Sequence, residues 1–222
     1  MMIDRLRKKT VQEEFDYQTL LDCLKGYARP RDKISSLLNK GLIIRVKKGL
    51  YIFGEDYRKR PYSREILANL IYGPSYISLE YALQYHGLIP ERVEAITSVT
   101  TGRSRRFSTP VGIFTYRCIP LDAFRIGMDR VEFSEDRAFL IAIPEKAIAD
   151  KLIADRGLGI RTKKMLDAYL ENDLRIDRAS LSELKPEILD NIALRYRSKK
   201  ITLFSDLVRR AQPRIKKEKS HA

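Results

Sequence analysis

The sequence predicts an α+β protein in two parts, and three observations predict it. The first 60 residues read as short helices followed by a β-hairpin. The middle of the chain turns to β-branched and aromatic runs: "AITSVTT" (Ala95–Thr101), "VGIFTYRCI" (Val111–Ile119) and "RAFLIAI" (Arg137–Ile143). From Pro144 onward the apolar spacing is helical. With 222 residues, 44% of them hydrophobic, the chain is long enough to bury two small cores.

Ile3, Leu6 and Val11 begin a first helix. Asp16 is placed to cap a second, "YQTLLDCLK", whose Leu20, Leu21 and Leu24 form an apolar stripe, with Gly26 past its end. Pro30 suits the first turn of a third helix, because its missing N–H has no partner there in any case. Ile34, Leu37 and Leu38 then fall at i, i+3 and i+4, so one face is buried and Gly41 closes the helix. "LIIRV" and "LYIF", joined by a turn at Gly49, predict a hairpin. Glu55 to Ser63 is charged and aperiodic, and reads as a linker. Ser63 and Ser78 are placed to cap two further helices. After the three strands of a small sheet come "PEKAIADKLIADR", "TKKMLDAYLEN", "LSELKPEILDNIALRYRS" (open to division at Pro186) and "ITLFSDLVRRA". The expected division is residues 1–60, a C-terminal mixed α/β domain over 61–212 with a helical second half, and a basic disordered tail over 213–222.

The net charge of +14 is distributed unevenly. Residues 1–60 carry 15 basic against 8 acidic side chains, residues 61–150 carry 10 against 11, and residues 151–222 carry 18 against 10. Two basic ends around a neutral middle point to a polyanionic partner.

Several chemistries find no support. The longest apolar runs, such as "FLIAI", fall far short of the roughly 20 residues a membrane span needs, and "MMIDRLRKKT" has no apolar stretch behind its charges, so a cytoplasmic protein is expected. Cys23 and Cys118 have no pairing signature and read as reduced thiols. His86 and His221 are too few and too scattered for zinc. No phosphate-binding glycine loop and no nucleophile elbow occurs, so no cofactor is expected. A metal-dependent nuclease would draw on Asp122, Asp129, Glu132, Asp136, Glu145 or Lys146. Their spacing fits no such pattern, and no catalytic residue is assigned.

Three helices and then a hairpin is the order of a winged helix-turn-helix. In that fold the third helix enters the major groove with donors near its start and an apolar face behind. Arg31, Lys33, Ser35 and Ser36 meet the first demand, and Arg45, Lys47 and Lys48 place charge on the wing for phosphates. Asp32 opposes DNA but suits a helix N-terminus. A helical module for protein contact remains open, as do RNA binding and a regulator whose C-terminal domain senses a ligand.

The phrase "SSLLNKGLIIRVKKGLYIF" (Ser35–Phe53) is followed by "YISLEYALQYHGLIPE" (Tyr76–Glu91), "TTGRSRRF" and "IPEKAIADKLI" (Ile143–Ile153). In that order they resemble the AbiEi-type antitoxins of type IV toxin–antitoxin and abortive-infection systems. The resemblance implies a non-enzymatic bifunctional protein. It would repress its own operon by binding inverted repeats in double-stranded DNA, and neutralise an AbiEii-type nucleotidyltransferase toxin, with direct contact left open. Carried over, the DNA contacts are Arg29, Arg31, Lys33, Ser35, Ser36 and Lys40 on the helix, with Arg45, Lys47 and Lys48 on the wing. Charge alone marks a second basic patch at Arg103, Arg105 and Arg106, in what reads as a loop.

Overall fold

The computed structural model describes residues 2–134 and 136–212. Over these residues the chain is α+β. Helix α1 (Met2–Lys9) buries Met2, Ile3 and Leu6, whereas Val11 lies beyond its end and is 70% exposed. A strand not read from the sequence follows, β1 (Glu14–Asp16). Asp16 then caps α2 (Tyr17–Cys23), its carboxylate accepting from Thr19 N at 2.7 Å. Helix α3 (Pro30–Asn39) starts on Pro30, and Gly41, at φ 66°, turns the chain out of it. Strands β2 (Ile43–Lys47) and β3 (Leu50–Phe53) form the hairpin, and β1 pairs with the free side of β3. Ile3, Leu6, Leu20, Leu24, Ile34 and Leu37 pack beneath this three-stranded sheet.

Every residue of β3 is buried, because the hairpin has a core on each face. Tyr51 and Phe53 point to the small core just described. Leu50 and Ile52, with Val46 of β2, point the other way, into the larger core of the following residues. The segment expected as a linker is likewise held down. It contains a 3-10 turn (Glu55–Tyr57), and Arg60 pairs with Asp136.

The second part begins with α4 (Arg64–Ile71), capped by Ser63 Oγ accepting from Ile66 N at 3.1 Å. In order come β4 (Ser75–Ile77), α5 (Leu79–Tyr85), β5 (Ile96–Thr100), β6 (Arg105–Thr109), β7 (Gly112–Cys118), α6 (Leu121–Phe124), β8 (Met128–Ser134) and β9 (Arg137–Ala142). The strands make one six-stranded mixed sheet, order β6-β7-β5-β4-β9-β8, in which β4–β9 and β5–β7 are parallel. The sequence led us to expect three of these strands. β4 has only three residues, and β6 and β8 are edge strands with mostly polar side chains. Ser78 stands at the N-cap position of α5 as expected, but its side chain makes no cap bond: buried, and followed by Leu79 at φ 59°, it donates instead to Asp150 Oδ2 at 2.7 Å.

Helices α7 (Pro144–Ala154), α8 (Lys163–Ala168, continued by a π turn to Asp173), α9 (Arg178–Glu183), α10 (Pro186–Tyr196) and α11 (Lys199–Ala211) complete the described chain. Pro186 does divide the predicted helix. The interior contains a polar knot: the Lys146 ammonium, fully buried, donates to Asp150 and to the Tyr196 hydroxyl, which also donates to Asp150. Among the described residues no helix is long and apolar enough to cross a membrane. The predicted tail, 213–222, lies outside the described residues.

Candidate nucleic-acid interface

The buried face of α3 is set by Ile34 and Leu37, and this decides which side chains are turned outward. Arg29, Arg31, Ser35 and Lys40 are exposed, while Lys33 and Ser36 are half-buried. Arg29 and Arg31 stand at the helix start, beside a shallow concavity of about 470 Å³ that Tyr17, Leu21, Pro30 and Asp32 also line. Asp32 lies 4.0 Å from the Arg29 guanidinium and offsets part of its charge. Lys33 rests over the Tyr27 ring, 5.7 Å from its centroid. The Ser35 hydroxyl donates back to the Arg31 carbonyl at 3.2 Å, so it must leave that bond to reach a base.

On the hairpin, Arg45 and Lys48 are exposed on the side away from the larger core. Lys47 is different, and its assignment as a free wing cation is corrected. The β2–β3 register shifts between Arg45 and Lys47, and the Lys47 ammonium turns inward to donate to the Ile71 carbonyl at the end of α4. It also lies 6.0 Å from the Phe107 ring centroid. Desolvation holds its pKa below the ordinary lysine value. The turn itself is held by Tyr17 N donating to Gly49 O at 2.9 Å. Tyr51 is a core residue, stacked 6.0 Å from Phe15.

Arg103, Arg105 and Arg106 do not form one loop patch. Arg103 is exposed in the connection between β5 and β6, but Arg105 and Arg106 lie within β6 and face opposite sides of the sheet. Arg105 sits 5.8 Å over the Tyr72 ring. Arg106 is opposite Thr115 of β7, on the face that also carries Arg117, a residue the sequence reading passed over.

The carboxylates a nuclease would need are dispersed. Glu145 is buried and accepts from Lys185 N at 2.9 Å, Lys146 is locked to Asp150, and Asp136 binds Arg60. Among the described residues, no group of three or more His, Cys, Asp or Glu is arranged to hold a metal ion.

No family model matches the chain, and the search of curated proteins finds no match. The geometry therefore carries the functional argument without help from relatives.

Proposed function

We propose that this protein is a winged-helix repressor that binds double-stranded DNA in the cytoplasm, without enzymatic activity of its own. The observation that carries the reading is α3. It is a helix fixed from behind by Ile34 and Leu37, with Arg29, Arg31 and Lys40 exposed on its outer side and Arg45 and Lys48 on the adjoining hairpin. A rigid helix with donors at its start suits the major groove, and exposed cations beside it suit the flanking phosphates. The proposal extends, on the resemblance of the quoted phrases to AbiEi-type antitoxins, to binding of inverted repeats at its own operon. On the same ground it extends to neutralising an AbiEii-type nucleotidyltransferase toxin.

The DNA half is tested by fluorescence anisotropy on the region upstream of its own gene against random duplex, across a salt series. Arg31→Ala is expected to erode the preference for the operator by about 1–3 kcal/mol. Arg45→Ala should weaken both duplexes alike and lower the salt slope by about 1. Equal loss on both duplexes for Arg31→Ala would make it a backbone contact. The antitoxin half is tested by co-expression with a candidate toxin and a growth readout, where absence of rescue sinks it.

A further inference from the structure

The edge of the six-stranded sheet away from β8 is built by β7 and β6, and its two faces differ. One face is closed: Phe107 and Tyr116 pack against Tyr72, just past α4, with Phe107–Tyr72 centroids 5.9 Å apart. On the other face Arg106 pairs with Thr115, and Thr115 with Thr97 of β5. Arg117 follows two residues after Thr115 and so shares that face. Helix α5 reaches β5, where Tyr81 N donates to Thr97 Oγ1 at 3.0 Å. Beyond it lies a cleft of about 590 Å³ with Arg106, Thr115 and Arg117 on the sheet side and Leu79, Val93 and Ala154 on the other.

The charges in this cleft are not balanced against each other. Its carboxylates, Glu80 and Asp155, are both taken by Lys151, at 2.8 and 3.0 Å, and Asp155 also accepts from the Tyr169 hydroxyl at 2.6 Å. The guanidinium groups of Arg106 and Arg117 have no ion pair or hydrogen bond among the described residues. Two unengaged guanidinium groups on one wall, carboxylates that share the Lys151 ammonium and an apolar wall opposite select an anion with an apolar body. The volume is in the range of pockets for small organic ligands and exceeds what a bare phosphate fills.

We propose that this cleft binds a nucleoside phosphate. Arg106 and Arg117 take the phosphate oxygens by forked, charge-assisted hydrogen bonds, and Leu79, Val93 and Ala154 take the base. The assignment is independent of the DNA-binding reading. Phe107, the next residue along β6, points to the opposite face, where Lys47 of the hairpin rests, so the cleft opens away from the wing.

The test is equilibrium binding of N-methylanthraniloyl-ATP to the full chain, with competition by ATP, GTP, inorganic pyrophosphate and oligo(dT). Saturable binding displaced by ATP or GTP is expected. The double variant Arg106→Ala/Arg117→Ala should weaken it at least about tenfold. Lys163→Ala/Lys164→Ala, an equal loss of charge on α8, should leave it within about twofold. Both arginines are exposed, so the double variant should melt with the parent chain. If it does not, Thr115→Tyr, which fills the cleft from a strand position, supplies the same readout. Absence of saturable binding overturns the proposal, as does equal weakening in both charge variants. Displacement by pyrophosphate as tight as by ATP would overturn the nucleoside assignment. Displacement by oligo(dT) much tighter than by ATP would make the cleft a nucleic-acid surface instead.

Discussion

Lys47 and Lys48 are adjacent in sequence and carry the same charge, but their surroundings give them separate roles. The Lys47 ammonium lies on the last carbonyl of α4, where a cation is favoured by the helix dipole. Lys48 is exposed at the turn. Lys47→Ala should therefore destabilise the fold by about 1 kcal/mol in urea unfolding and leave the salt slope of DNA binding nearly intact. Lys48→Ala should do the reverse, lowering the slope by about 1 with unchanged stability. A slope lowered by Lys47→Ala alone would return that residue to the DNA surface. The Ser63 hydroxyl offers a second residue-scale check. It accepts from Ile66 N and donates to Glu65, so Ser63→Ala should cost about 1 kcal/mol.

Among the elements, those with internal punctuation were legible and those defined by their neighbours were not. Pro30, Ile34, Leu37 and Gly41 fix α3 locally, and its outward residues follow from the spacing alone. In contrast "RRFST" has neither a turn residue nor an apolar alternation, and it is a strand only because β7 offers it an edge. Arg117 could not be read as a cleft residue until the register placed Thr115 beside Arg106. The inward turn of Lys47 depends on a shift in strand register that leaves no trace in "RVKKGL". The tie between the 55–63 segment and the β8–β9 turn is also a matter of neighbours. Arg60 hydrogen-bonds Asp136 and pushes its carboxyl from 3.8 down to about 2. A depressed carboxyl stabilises the fold above its unfolded pKa and loses that contribution as pH falls through the folded one. This tie is therefore intact above pH 3.8 and is lost as the pH falls to about 2. Acid unfolding of Asp136→Asn should lack that component, and identical acid limbs for the two chains would remove the ion pair from the account.

At the scale of the whole molecule, the hairpin proposed to flank DNA is also a wall of the larger core. Val46, Leu50 and Ile52 join Ile66, Leu67 and Ile71 there, while Tyr51 and Phe53 face the small core from the same strand. Polar ties run alongside: Ser63 N donates to Glu14 Oε1 at 2.8 Å, and Arg137 lies 3.5 Å from the same oxygen. A strand shared between two cores cannot lose one of them and keep its register, so the two parts should unfold together. Ile52→Ala removes a fully buried side chain from the larger core, although its strand belongs to the first 60 residues. Large-to-small changes at such sites cost about 2–5 kcal/mol. Calorimetry of the full chain should show one transition, displaced as a whole to lower temperature by this substitution. Two transitions of which only one moves would mean that the parts fold independently. The wing would then be positioned by the small core alone, and Lys47 would be free to swing toward DNA.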